Sequence, residues 1–420
     1  MASSARRAAY AVVRRVFEQG AYADRALRRV TERLEPRERA FATQLAYGTV
    51  QRKATLDFLA ARFAKRPADQ LDPPVLAAIR LGLYQLAYLD GVPAHAAVDE
   101  SVELVKADAP RAAGFVNAVL RRGATEARAL VGALPDETPE QAAIAHSVPR
   151  WLAGMWFDQL GAQDARALLA ASNRPAEHAL RANALVLTAR ELQAALPVAA
   201  HLGPEPPEAV VADAPFDAHG SPLFAAGALL PQSRASQLVA RAVDPQPGER
   251  VLDLCAAPGG KTTHLAALMG DTGEIVAVER NADRAEQLRA TARRMHASIV
   301  EVVHGDAAAF TTAQDARFDR VLVDPPCSGL GTLRSRPDLR WRTDPAQIQG
   351  LVAEQRAILD AAVAALKPGG RLVYSTCTIS ALENERMVRG RPDLEVEAIR
   401  TTFPHADDTD GFFIATMRRL

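Results

Sequence analysis

The chain has 420 residues, 48% hydrophobic and 24% charged, with a formal net charge of zero. That composition implies a soluble globular protein of two or three domains; no apolar run reaches the roughly 18 residues that a membrane span needs, so no membrane partner is expected. Cys255, Cys327 and Cys377 are too few and scattered for a disulfide framework, and the nine histidines form no pair at metal-ligand spacing, so a reducing, cytoplasmic setting and no metal are expected.

Overall neutrality hides a basic end: residues 1–130 carry 21 Lys+Arg against 14 Asp+Glu. Such a surplus suits phosphate contacts or, equally, the solvated faces of Arg-rich helices. Ala9, Val12, Val13, Val16 and Phe17 repeat at helical spacing, which makes the Arg-containing start a first helix rather than a transit peptide. Amphipathic helices are predicted over 4–19, 22–34, 37–64 (two of them), 73–90, 95–107 and 112–122, with Pro36, Pro67, Pro73, Pro74, Pro93 and Pro110 at the joints. Residues 1–135 therefore read as an all-α domain. Residues 136–230 read as a small mixed α/β module, with helices near 150–160 and 163–171, a short strand at 179–183 and a helix from Thr188.

From 231 to 420 strands and helices alternate. Strands are predicted at 250–255, 274–279, 299–303, 318–323 and 371–376, and helices at 232–242, 260–269, 282–296 and 345–366. Alternation implies right-handed crossovers and a parallel, Rossmann-like sheet with helices on both faces, whose ligands bind at the carboxyl ends of the strands.

The first such end carries the run Cys255-Ala256-Ala257-Pro258-Gly259-Gly260-Lys261, leading from a strand through a Gly turn into a helix. Its glycines allow close backbone approach, and the helix start presents unpaired N–H groups. Twenty residues past Gly259, Glu279 ends an apolar strand, where α/β nucleotide folds place the carboxylate that holds ribose hydroxyls. A phosphate-binding G-x-x-x-x-G-K-[ST] loop would need glycine at Cys255, and a dinucleotide loop would need G-x-G-x-x-G, so a nucleoside without phosphates fits better. Asp306 follows the third strand end.

Asp324-Pro-Pro-Cys327 closes another strand, its prolines fixing a rigid turn that aims a carboxylate and a thiol, and Ser375-Thr-Cys377 closes the next. Two thiols beside a nucleoside cradle suit attack on carbon 6 of cytosine, which turns carbon 5 into an enamine able to take a methyl group; a carboxylic acid near ring nitrogen 3 absorbs the developing charge. Spacing leaves open which thiol attacks. A thiolate at neutral pH needs positive surroundings, for which Lys261 and Arg336 are candidates.

Together with Arg334, Pro337-Asp338, Trp341-Arg342 and Glu383-Asn-Glu385, these segments resemble the AdoMet-dependent RNA cytosine-5 methyltransferases. Phe41-Ala-Thr-Gln-Leu-Ala-Tyr-Gly-Thr-Val50, Leu81-Gly-Leu-Tyr-Gln-Leu86 and Gly114-Phe-Val-Asn-Ala-Val-Leu120 resemble the NusB-like domain fused to such enzymes in the bacterial Sun/Fmu type, so the likeness covers nearly the whole chain. The resemblance implies methylation of 16S rRNA before the subunit is fully assembled, with S-adenosyl-L-methionine as cofactor and no obligate protein partner. It makes Cys377 the nucleophile and Cys327 the thiol that helps the product leave. It also implies that Asp324 touches both cofactor and base, Glu279 holds the ribose, Asp306 lies on the adenine side, the 255–261 loop holds the methionine part, and Lys261 orients the motif or polarises a substrate group.

Three departures stand out: Pro231-Gln-Ser-Arg-Ala-Ser236 lacks the usual acidic residue after glutamine, Glu279 replaces the more usual Asp, and the helix after Glu385 is cut short before Arg391-Pro-Asp393. Arg334, Arg336, Arg340 and Arg342 beside Trp341 form a basic, aromatic stretch expected to clamp RNA. A noncatalytic RNA-binding protein and a DNA methyltransferase are the competing classes; the first is disfavoured by the complete set of thiols, Asp324 and cofactor loop, and methyl transfer to DNA would mark the second.

Overall fold

A computed structural model describes residues 2–310 and 317–420. The chain divides into two compact units, Met1–Arg174 with Leu333–Asp344, and Pro175–Thr332 with Pro345–Leu420.

The first unit is helical: α1 (Ser4–Gln19), α2 (Ala23–Thr31), α3 (Pro36–Gln51), α4 (Lys53–Ala64), α5 (Pro73–Tyr88), α6 (Ala94–Lys106), α7 (Ala113–Gly132), α8 (Pro139–Ala145) and α9 (Arg150–Ala171). Prolines open α3, α5 and α8, where a missing N–H costs no helical bond. Val12, Val13, Leu45, Leu56, Leu59, Ile79, Leu83 and Leu120 form its core. Helix α7 runs ten residues past the expected end at 122. Gly123, a weak helix former, is kept there by packing: a Cβ on it would lie 2.6 Å from Leu83 Cδ2.

The expected module at 136–230 does not form one unit. Its helices α8 and α9 belong to the helical unit, α9 bending at Gly161 between the two helices read from the sequence. Its strands belong to the second unit, as an antiparallel sheet of β1 (His178–Ala182), β2 (Ala200–Leu202), β3 (Ala209–Ala212) and β4 (Leu229–Pro231), with α10 (Ala189–Ala195) and α11 (Pro222–Ala225) between them. The boundary lies at Arg174/Pro175, where helical periodicity stops, rather than at 135 and 230.

The rest of the second unit is α12 (Arg234–Val243), β5 (Arg250–Leu254), α13 (Gly260–Leu268), β6 (Glu274–Glu279), α14 (Ala282–Arg294), β7 (Val300–His304) and β8 (Phe318–Val323). After α15 (Leu339–Arg342), which belongs to the helical unit, come α16 (Pro345–Ala365), β9 (Leu366–Thr376), α17 (Glu385–Val388), β10 (Leu394–Thr402) and β11 (Phe412–Arg419). The strands order as β10-β11-β9-β8-β5-β6-β7. β7, β6, β5, β8 and β9 run parallel, as expected, but β11 and β10 are antiparallel, so the sheet is mixed.

Alternate residues feed the two faces: Leu252, Val321 and Tyr374 pack in one cluster, and Val251, Leu322 and Val373 in the other. The chain goes from β5 outward to β7 and returns to β8 on β5's other side. This switch point opens a crevice between the carboxyl ends of β5 and β8. Among the described residues no helix is long and apolar enough to cross a membrane.

Candidate active site

Leaving β5, the backbone enters the left-handed region at Cys255 (φ 68°) and again at Gly259 (φ 100°), which caps α13. Glycine is required at 259 because a Cβ there would also lie 2.7 Å from Leu288 Cδ1. The Cys255 thiol is pushed up by burial and by nearby carboxylates, so it is a neutral packing group. Behind the loop, Thr262 Oγ1 donates to Asp253 Oδ2 at 2.6 Å, and burial pushes the Asp253 carboxyl up to about 7. Arg181 of β1, fully buried, donates to Thr263 Oγ1 at 2.9 Å, to Gln232 Oε1 at 3.1 Å and to the Gly260 carbonyl, pinning the start of α13; burial lowers its pKa to about 9.

At the end of β6, Glu279 is only 3% exposed and accepts from the Asn281 amide at 2.9 Å, while Arg284 donates to the Ala257 carbonyl at 2.7 Å. Gly305 N donates to the Glu279 carbonyl at 3.1 Å, which sets the exposed Asp306 beside that strand end. A buried carboxylate on one side of the loop, Asp324 on the other and a helix start between them fit a nucleoside with an amino-acid tail.

Asp324 ends β8. Lys261 Nζ lies 2.5 Å from its Oδ2, and Ser375 Oγ donates to its Oδ1 at 3.1 Å. Burial pulls the Lys261 pKa down, but attraction to Asp324 and to Cys377 outweighs it, and the ammonium stays above its ordinary range. Lys261 thus holds Asp324 in one orientation.

Cys327 and Cys377 meet with their sulfurs 3.4 Å apart. The contact with Cys377, together with burial, holds the Cys327 thiol well above its usual range. Either thiol can be the donor in that contact.

The basic stretch divides. Arg340 is fully buried in the helical unit and donates to Ser147 O and Asn173 Oδ1, each at 3.0 Å, and to Ser172 O at 3.1 Å. Trp341 Nε1 donates to Val50 O at 2.7 Å, and Arg342 lies over the Tyr22 ring. The geometry of Arg340 and Trp341 is that of structural ties, so the RNA clamp expected of them is corrected. The residue pattern of 334–342 could not reveal this, because the partners lie some 170–290 residues away in sequence. Arg334 is half-buried and Arg336 exposed.

Arg181, Asp253, Ser375, Glu383 and Asn384 make contacts that sequence patterning does not predict. A lone Arg inside the apolar strand Ala179–Ala182 was the available signal for Arg181.

A family model described as 16S rRNA methyltransferase RsmB/F matches residues 240–418, and one described as the NusB family matches residues 3–125. A probable ribosomal RNA small subunit methyltransferase B of Synechocystis is 35% identical over 99% of both chains. A Bacillus subtilis protein of the same description is 34% identical over 92% of both. The crystal structure of PH0851 superposes with a TM-score of 0.83 at 26% identity, over 99% of this chain and 98% of that one.

Proposed function

Because the chain belongs to the RsmB/F family of 16S rRNA methyltransferases, we propose that it methylates carbon 5 of a cytosine in 16S rRNA through a bond between Cys377 and carbon 6. AdoMet, when bound, supplies an electrophilic methyl group on its sulfonium. Glu279 holds its ribose, Asp306 borders its adenine and the 255–261 loop takes its methionine part.

The observation that carries the reading is the 3.4 Å approach of Cys327 and Cys377 beside Asp324. Cys377, as thiolate, forms the bond to carbon 6, and electron density moves toward carbon 5. Asp324, steadied by Lys261 and Ser375, faces ring nitrogen 3 and relays a proton to it from the Lys261 ammonium, which neutralises the negative charge that develops there. Once carbon 5 is methylated, its proton passes to water, the carbon–sulfur bond breaks and Cys377 leaves, taking the proton of the neutral Cys327 thiol as it does so.

The target base is unpaired or turned out of its stack, since a stacked cytosine presents carbon 6 poorly. Arg334 and Arg336 remain the backbone contacts of the basic stretch. The substrate is the RNA before full subunit assembly, which places the reaction in the cytoplasm.

The test uses labelled AdoMet, protein-free 16S rRNA and three proteins. Wild type is expected to give 5-methylcytosine, Cys377→Ala to give neither product nor adduct, and Cys327→Ala to accumulate a denaturation-resistant RNA–protein adduct. The reverse thiol pattern would exchange the two roles, and label on DNA or on no nucleic acid would sink the reading.

A further inference from the structure

Glu383 and Asn384 touch neither the cofactor loop nor Asp324, yet both are buried at the point where the two thiol-bearing segments meet. Glu383 is 0% exposed and accepts three hydrogen bonds: Ser328 N at 2.8 Å, Ser328 Oγ at 2.6 Å and Gln355 Nε2 at 3.1 Å. Ser328 directly follows Cys327, and Gln355 also donates to Pro326 O at 2.9 Å, so this one carboxylate organises the residues on both sides of that thiol.

Asn384 does the same for the other thiol. Its Oδ1 accepts from Thr376 Oγ1 at 2.5 Å and its Nδ2 donates to Thr378 O at 3.0 Å, gripping the residues before and after Cys377. Ser328 Oγ and Thr378 Oγ1, 2.6 Å apart, join the two halves. Glu383 is itself fixed from β9, because Tyr374 OH donates to its carbonyl at 2.8 Å.

We propose that Glu383 and Asn384 form a clamp that sets the separation of Cys327 and Cys377, Glu383 positioning the thiol that assists release and Asn384 the thiol that attacks. Both are positioning residues, acting through the residues that flank each sulfur. A buried carboxylate with three donors is costly to disturb, because each donor left behind loses its partner in a buried site. Adjacent residues serving opposite loops transmit any shift of one to the other. The division of labour rests on the reaction proposed above; the clamp geometry does not.

Two measurements therefore test it on the full chain. The first needs no RNA: diamide oxidises the Cys327 and Cys377 thiols to a disulfide while its N=N bond takes up both protons and both electrons. The linked peptide is followed by mass, which separates it from any product of Cys255. Glu383→Ala and Asn384→Ala should each slow that closure about tenfold, the effect expected when a prealigned pair loses its alignment, with AdoMet affinity within about twofold of wild type as the check that the fold persists. Closure at the wild-type rate or faster overturns the clamp.

The second reads the division of labour. Glu383→Ala should lower kcat with KM little changed and accumulate RNA adduct, whereas Asn384→Ala should lower kcat without adduct. Glu383→Gln, which keeps an acceptor for Ser328 N and offers a donor to Ser328 Oγ, should recover most of the turnover. Equal adduct levels in both variants, or loss of AdoMet binding in step with kcat, would refute the positioning roles. If wild type gives no adduct, the proposed reaction fails, and diamide closure alone decides the clamp.

Discussion

Asp253 has its carboxyl buried beneath the cofactor loop, at about 7 instead of the unfolded value near 4. The native state therefore holds a proton that the unfolded chain releases. Stability contributed by that neutral carboxyl is full below about pH 4 and is lost progressively as pH rises through 7, by up to about 4 kcal/mol. Asp253→Asn keeps an acceptor for Thr262 and cannot ionise. Chemical unfolding across pH 4–8 should show the wild type losing stability relative to this variant as pH rises; a constant difference across the range would mean that the carboxyl is ionised in the fold. At this scale the sequence was legible where chemistry restricts residue type: the thiols, Asp324, Lys261 and Glu279 all stood out because few other side chains serve at strand ends beside a glycine loop. Asp253 and Arg181 did not, because a polar residue inside an apolar run reveals only that it needs partners, and the partners lie on other elements.

The limits of β5, β6, β7 and β8 were readable to within a residue or two, since buried parallel strands such as Ile275–Val278 and Val321–Val323 are continuously apolar, whereas β9 starts five residues before the expected 371, in a stretch that is partly exposed. β10 escaped for the opposite reason. It is an edge strand in which only Leu394 and Thr402 are buried, so Glu395, Glu397 and Arg400 interrupt the signal. The link from β8 into the site depends on Gly331, whose N–H donates to the Cys377 carbonyl at 2.9 Å and whose carbonyl accepts from Gly411 N at 2.8 Å. A Cβ at 331 would lie 1.9 Å from Gly411 O and 2.9 Å from Cys377 O, both backbone atoms with no rotamer to yield. Gly331→Ala is therefore expected to displace the end of β9 and cut kcat at least about tenfold, as small misplacements of a reacting group do. AdoMet affinity should stay within about twofold; titration calorimetry that found it impaired in step with kcat would place the damage in the fold rather than at Cys377.

For the molecule as a whole, the chain passes between its two units at Arg174, at Thr332 and at Asp344, so the segment 333–344 is borrowed from the methyltransferase sequence by the helical unit. Domain limits drawn from periodicity alone missed this, because twelve residues with four arginines and a tryptophan read as a solvated, nucleic-acid-facing loop. Burial decides otherwise for Arg340. Its guanidinium, with a pKa lowered to about 9 by desolvation, is held by carbonyls from α3 and from the ends of α8 and α9. Arg340→Ala leaves those acceptors without a donor and is expected to destabilise the helical unit by about 2–4 kcal/mol, seen as a lower unfolding midpoint. Because the side chain is not on the surface, the salt dependence of RNA binding should keep its wild-type slope. Arg336→Ala, at an exposed position, should do the reverse, leaving the midpoint unchanged while lowering the log–log slope by about 0.7–0.9, the share of a single neutralised phosphate. An Arg340→Ala protein with normal stability and a reduced slope would return that residue to the RNA-binding surface and overturn the assignment of 333–344 as a tie within the helical unit.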